Sequence, residues 1–365
     1  MKKIILLILF IGLFAFAKAQ YVGLSNAEFD QLKQIVKTDA SASNLYASFQ
    51  GAADAAMKEP PNPIVKILSE GHLEGDPDKI ASLKAVRDAD KIYALALVYR
   101  VGGDKSYLTK AQEYLLAWAK TNKSTGDPID ETKLEALFAG YDMVRDQVEP
   151  EARKKIDSWL DSIADGELNS DHARPGKGTA INNWNSHRIK IITLIAYTIH
   201  TKKYDKDIPK ELMAQLSVDL YPDGTSYDYV ERDAFHYHIY TLEPLLRAIT
   251  AIYRATGKNY FNEESYTKSS IKRSVDFMIP YVIGQLTHAE FANSKAKFDR
   301  ARAQNGEKGY QVKNFIPTTA IYALSQAAYF DRIYLPIVRQ LSGGNTDDNW
   351  QLLLNKIMQP TGPVK

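Results

Sequence analysis

The chain has 365 residues, with 46 Lys and Arg against 44 Asp and Glu, and no cysteine. The missing thiols exclude disulfides, thiolate metal sites, cysteine nucleophiles and a lipid-anchored export signal, so the folded chain must rely on its core. The formal charge of +2 includes Lys2, Lys3 and Lys18 near the N-terminus; without those three it is about −1, which excludes a broadly basic nucleic-acid binder.

Lys2 and Lys3 precede an apolar run from Ile4 to Ala17, which ends in the small-x-small sequence Ala17-Lys18-Ala19. This pattern predicts a secretory signal peptide over residues 1–19 and a periplasmic or secreted protein. The run is shorter than the roughly 20 residues of a bilayer span, so no membrane attachment is expected after cleavage. Residues 20–365 contain no low-complexity linker and no separate β segment, and are expected to form one domain.

The first clear helix spans Ala85 to Arg100, with apolar residues mostly three and four apart, and Val101-Gly102-Gly103-Asp104 ends it. A second covers Lys105 to Thr121 and a third Glu131 to Gln147, and Glu149-Pro150-Glu151 opens a fourth. Further helices are expected near 183–201, 209–219, 235–256, 265–284, 315–341 and 347–358, with polar loops at 165–179 and 295–312. Helix pairs joined by short turns recur, and strand-type alternation is scarce. The predicted fold is all-α, an (α/α) toroid or incomplete barrel of antiparallel helix pairs, with an open solenoid as the alternative.

Two segments concentrate polar chemistry. Asn182-Asn183-Trp184-Asn185-Ser186-His187-Arg188 heads a largely apolar helix, and one helix cap needs only one such residue. Asn183 and His187 are four apart and share a face. The second segment, Glu231 to Tyr240, contains His236-Tyr237-His238-Ile239-Tyr240; on one helix Arg232, His236 and Tyr240 would form a stripe at steps of four. A His-x-His metal pair is disfavoured there, because that spacing splits the rings between helix faces.

Asn182-Asn183-Trp184 at a helix head, then Asp223-Gly224 and His236-Tyr237-His238-Ile239-Tyr240 about fifty residues on, resemble the alginate lyase superfamily of α/α-toroid polysaccharide lyases. The motifs cover residues 180–250; elsewhere the likeness lies in helical character. The resemblance implies that Asn183 binds the uronate carboxylate and that Tyr240 is the catalytic tyrosine, with His187, Arg232, His236 and His238 as further catalytic residues. It implies substrate contacts from Asn182, Trp184, Arg188 and Tyr237, and from Arg300, Arg302 and Tyr310 in the later loop. Trp184 stands where many relatives have His, with His187 one turn on. Asp233 stands where some have Arg, with Arg232 beside it.

The implied reaction is β-elimination in an acidic, uronate-containing polysaccharide such as alginate. Amide donors and a cation neutralise the carboxylate and the enolate-like intermediate. A base removes the C5 proton and an acid protonates the departing O4. Tyr240 serves both roles if a neighbouring cation lowers its pKa. The scheme requires no metal, nucleotide or redox cofactor, and its partner is the anionic polymer rather than nucleic acid. Polyglucuronate and glycosaminoglycans are alternative substrates. A toroidal glycoside hydrolase using Asp228 and Glu231, or a non-catalytic glycan binder, are alternative functions.

Overall fold

The computed structural model describes residues 20–358, so the expected signal peptide lies outside the described residues. Seventeen α-helices and one two-stranded ribbon make up its regular structure, apart from short 3-10 turns. The first helices are α1 (Asn26–Thr38), α2 (Ala40–Met57), α3 (Pro77–Ala85), α4 (Arg87–Gly102) and α5 (Lys105–Thr121). They are followed by α6 (Pro128–Glu131), α7 (Glu135–Val144), α8 (Pro150–Leu168), α9 (Asn183–Thr198), α10 (Asp207–Asp219), α11 (Tyr227–Arg232) and α12 (Phe235–Thr256). The last third holds α13 (Ile271–Val282), β1 (Ala289–Glu290), α14 (Lys297–Gln304), β2 (Lys313–Asn314), α15 (Ile321–Ala327), α16 (Leu335–Leu341) and α17 (Trp350–Met358).

Local chemistry sets many of the boundaries. Ser25 and Glu28 form a reciprocal capping box at the head of α1. Asp39, Asp76 and Asp104 cap α2, α3 and α5 through their carboxylates. Gly103 ends α4 in the left-handed conformation at φ 83°, where a side chain would be strained.

Packing arranges these helices in a double row. Along α2, α4, α7, α9, α12 and α15 each helix packs on the next, while α1, α5, α8, α10, α13 and α16 lie against that row. The terminal α17 touches both α15 and α1, bringing the end of the chain back to its beginning. Helix α9 is buried along nearly its whole length, with Ile189, Ile191, Ile192, Leu194 and Ile195 in the core and its buried charges Arg188 and Lys190 paired with Glu211 and Glu135. The expected α/α toroid is the observed architecture.

Several element boundaries differ from expectation. The 265–284 helix begins only at Ile271, behind the cap Ser270. The stretch 315–341 is two short helices, α15 and α16, interrupted by a 3-10 turn that Asp331 caps. The polar loop 295–312 contains the helix α14. The stripe from Arg232 to Tyr240 is broken at Asp233, whose φ of 50° ends α11 before α12 begins. Pro244 lies inside α12 and has no N–H, so the Tyr240 carbonyl lacks its helical donor.

Candidate active site

The head of α9 is held by a carboxylate from another helix. Asp228 of α11 accepts the Asn183 backbone N–H at 2.6 Å and the Asn183 side-chain amide at 2.6 Å. It also accepts the Thr241 hydroxyl of α12 at 2.9 Å, so one buried acid ties three helices together. The exposed amides of a helix N-terminus favour an anion there. Burial nonetheless raises the Asp228 carboxyl to about 6, with the hydrogen bonds from Thr241 and Asn183 opposing. Asn182 is the cap, accepting from Trp184 N–H at 3.0 Å. Asp228 uses one of the two amide hydrogens on Asn183 Nδ2, leaving the other to the cleft that Asn183 lines.

Helix α12 supplies the opposite wall. Its cap position is Ala234, which has no polar side chain, and Glu290 of β1 compensates. The Glu290 carboxylate accepts Phe235 N–H at 2.8 Å and His236 N–H at 3.0 Å. This clamp fixes the first turn of α12, from which His236 and Tyr240, four residues apart, both enter the cleft. Partial burial, with Arg302 and Arg232 nearby, holds the His236 imidazole below its usual value and therefore neutral at pH 7. Burial raises the Tyr240 phenol above its ordinary value; Glu70 adds to this and Arg302 opposes it. The expectation that a cation lowers this phenol's pKa is corrected, because desolvation dominates.

Arg232 reaches the cleft from the end of α11. Its guanidinium lies 3.9 Å from the Tyr237 ring centre and its Nε is 3.2 Å from Asp299. Arg302 of α14 donates to the Tyr310 hydroxyl at 2.9 Å and to the Tyr237 hydroxyl at 3.3 Å. Trp184 completes the rim, its ring 4.7 Å from that of His172. The cleft has a volume of about 280 Å³ and takes in Asn183, Trp184, Arg232, His236, Tyr237, Tyr240, Arg302 and Tyr310.

Besides Asn182, whose side chain is spent on the cap of α9, four expected site residues lie outside the cleft. His187 does not line the cleft. It is buried behind Tyr240, ring centres 4.4 Å apart, with Nδ1 2.9 Å from the Thr132 hydroxyl. Its Nε2 has no partner of good geometry, and it sits near the Tyr240 carbonyl that Pro244 leaves free. Burial, then Lys190 and Lys133, keep this imidazole well below its usual value. Arg188 is buried and turned toward α10, where it pairs with Glu211 and donates to Asn185 at 2.6 Å. Arg300 is exposed and donates to the Ser294 carbonyl at 2.9 Å.

The fourth is His238, which is completely buried. Its Nδ1 lies 2.9 Å from the Ser226 hydroxyl and its Nε2 2.9 Å from the Ser274 carbonyl. It is therefore neither a base nor half of a metal pair with His236. Removing it should cost stability, not turnover. His238→Ala is expected to lower unfolding free energy by about 2–4 kcal/mol through a cavity and two orphaned partners. Denaturant midpoints and turnover of the folded fraction check this; a stable but inactive variant contradicts it.

The cleft also contains residues that sequence reasoning passed over. Ser69, Glu70 and Lys79 come from the segment leading into and through the start of α3, and Lys133 from the turn before α7. Lys133 is mostly buried, which lowers its pKa, and lies 3.8 Å from Asp130. No local motif marks Lys133 as different from the chain's other lysines. The pair Asp228 and Glu231 does not converge on the cleft: Asp228 is the helix anchor and Glu231 pairs with Lys295 at 2.8 Å.

The alginate lyase family model matches residues 31–288 of the chain. The fold is similar to that of an alginate lyase from Bacteroides ovatus, with a TM-score of 0.67 at 15% identity over 94% of this chain and 99% of that one. It is also similar to alginate lyase A1-III from Sphingomonas species A1, with a TM-score of 0.55 at 19% identity over 74% and 80% of the two chains. A tyrosine-to-phenylalanine variant of A1-III complexed with tetrasaccharide gives 0.54 at 18% identity over the same shares. No curated protein sequence matches significantly. With more than two thirds of its length matched, the chain belongs to the alginate lyase family and is a polysaccharide lyase built on an all-α toroid.

Proposed function

We propose that this lyase is exported and cleaves a uronate-containing polysaccharide, alginate being the simplest, by β-elimination at the cleft between α9 and α12. The observation that carries this reading is the company Tyr240 keeps: a phenol and a neutral imidazole one helical turn apart, facing Asn183, Lys133 and Arg302 across the same small cleft. The cations and the free Asn183 amide hydrogen suit an ionised sugar carboxylate and the charge it gains when the C5 proton leaves. Related proteins complexed with tetrasaccharide support an oligosaccharide ligand.

The electrostatics support a division of labour. A phenol whose pKa is raised is a poor base at neutral pH but keeps its proton for the departing O4. A neutral imidazole is ready to accept one. We assign His236 as the base that removes the C5 proton and Tyr240 as the acid that protonates O4. His187, behind Tyr240, positions that residue through its ring and the carbonyl that Pro244 leaves without its helical donor. Incubation with a panel of polyuronates and glycosaminoglycans tests the substrate class. The expected result is rising ultraviolet absorbance from a conjugated C4–C5 double bond with polyuronate, and no rise with any polymer contradicts the reading.

The assignment has a signed pH dependence. His236 titrates below the free imidazole value of 6.5 and Tyr240 above the free phenol value of 10. Activity requires the first deprotonated and the second protonated. The kcat/KM profile should therefore be flat from neutral to mildly alkaline pH, fall on the acid side below pH 6.5 and fall on the alkaline side only above pH 10. A rate that keeps climbing with pH above 8 would instead make the Tyr240 phenolate the base.

A further inference from the structure

A cavity larger than the cleft lies outside it. It is a groove of about 1320 Å³ on the outer side of the toroid, between α5 and α8. Its lysines are Lys120 and Lys123 on one bank and Lys154 and Lys155 on the other. All four are exposed, and among the described residues none forms an ion pair. The acids along the groove are Glu151 and Asp171, and Asp171 is already paired with Arg174. A net positive groove on a chain whose charge outside the leader is about −1 is a local concentration of charge, not an average property of the surface.

The groove also has a floor and a direction. Trp159 lies beneath it, its indole N–H donating to Asn122 at 3.3 Å, while Asn122 donates to the Ile64 and Val65 carbonyls. Along α8, Lys154, Ser158, Ser162 and Gly166 recur at steps of four and so share one face. At 1.5 Å per residue that face runs about 18 Å, enough for several units of an extended sugar polymer. Beyond it comes His172, which lines the groove and packs at a tilt against Trp184 of the catalytic rim, ring centres 4.7 Å apart. Groove and cleft thus meet at one aromatic pair.

We propose that this groove is an accessory track for the acidic polysaccharide, holding a stretch of polymer distant from the bond being cleaved and leading it past His172 and Trp184 to the cleft. The proposal rests on the reading of the substrate as an acidic polymer. Carboxylates along the chain meet the lysines, sugar hydroxyls meet the serine face of α8, and a ring can pack on His172. Short oligomers that fill only the cleft gain nothing from it.

The test replaces the four lysines by alanine, and separately each bank as a double variant. All four side chains are exposed, so melting should not change. KM for alginate polymer is expected to rise by about five- to tenfold in the quadruple variant at low salt, with a smaller rise in each double variant. Kinetics on a tetrasaccharide stay as in the parent. Equal effects on polymer and tetrasaccharide, or none on either, overturn the proposal. Retention in alginate-containing gels, read in a Tyr240→Phe background, measures binding apart from turnover. If wild type cleaves no uronate yet the lysine variants lose retention, the substrate chemistry is wrong and the track stands; unchanged retention sinks the track whatever the activity. Equal retention of the Tyr240→Phe parent by single-stranded DNA would mark an unselective basic patch and also overturn it.

Discussion

Replacing Tyr240 by Phe is expected to lower kcat by roughly 10²–10⁴-fold, the usual contribution of a positioned acid, while the protein stays folded. Among the described residues the Tyr240 hydroxyl has no hydrogen-bond partner, so its removal strands no other group. The ring keeps its contacts with His187 and Tyr237. Polymer binding should persist, because Asn183, Lys133 and Arg302 are untouched. Substantial turnover in this variant, measured beside its melting temperature, would remove Tyr240 from the chemistry.

The second large effect is at Asn183. Truncation to Ala removes the amide donor facing the cleft and should lower kcat by roughly 10²–10³-fold, the size found for one oxyanion-stabilising donor. It also removes the hydrogen bond to Asp228 Oδ1, because the backbone N–H and the Thr241 hydroxyl both reach Oδ2. Leaving that buried oxygen without its donor should cost about 1–3 kcal/mol, a shift of a few degrees in a domain of this size. A variant that melts far earlier yet keeps near-normal turnover when folded would reduce Asn183 to a helix-head anchor.

How much of this was legible follows from where the determinants lie. Helices α5, α9 and α12 were readable because their caps, glycines and apolar spacing are local. The two polar clusters were readable because too many amides and imidazoles crowd one segment for capping alone. The orientation of those side chains was not. His187 and Asn183 share a helix face, but the long side of that face is covered by α12, so only the first reaches the toroid interior as a buried ring and only the second reaches the cleft. Arg188 follows the opposite side of α9 into α10, where Glu211 awaits it.

The break at Asp233 was illegible for a related reason. An aspartate can adopt the left-handed conformation, but here it is held there by partners far along the chain. Its carboxylate accepts from Asn293 N–H at 2.8 Å and its carbonyl from Phe291 N–H at 2.7 Å. Glu290 clamps the next helix from the same ribbon. Lys133 and Glu70 enter the cleft only because the toroid brings α3 and the turn before α7 beside α9 and α12. Such long-range placements leave no spacing to read.

Elimination and hydrolysis differ in the fate of water. Digestion of a polyuronate in heavy-oxygen water, followed by mass analysis of the oligomers, separates the two ways of breaking the glycosidic bond. The expected products carry no label at the cleaved bond and are lighter by one water than hydrolysis products, each new non-reducing end bearing the C4–C5 double bond. Heavy oxygen at the cleaved bond, with saturated ends throughout, would show hydrolysis and contradict elimination.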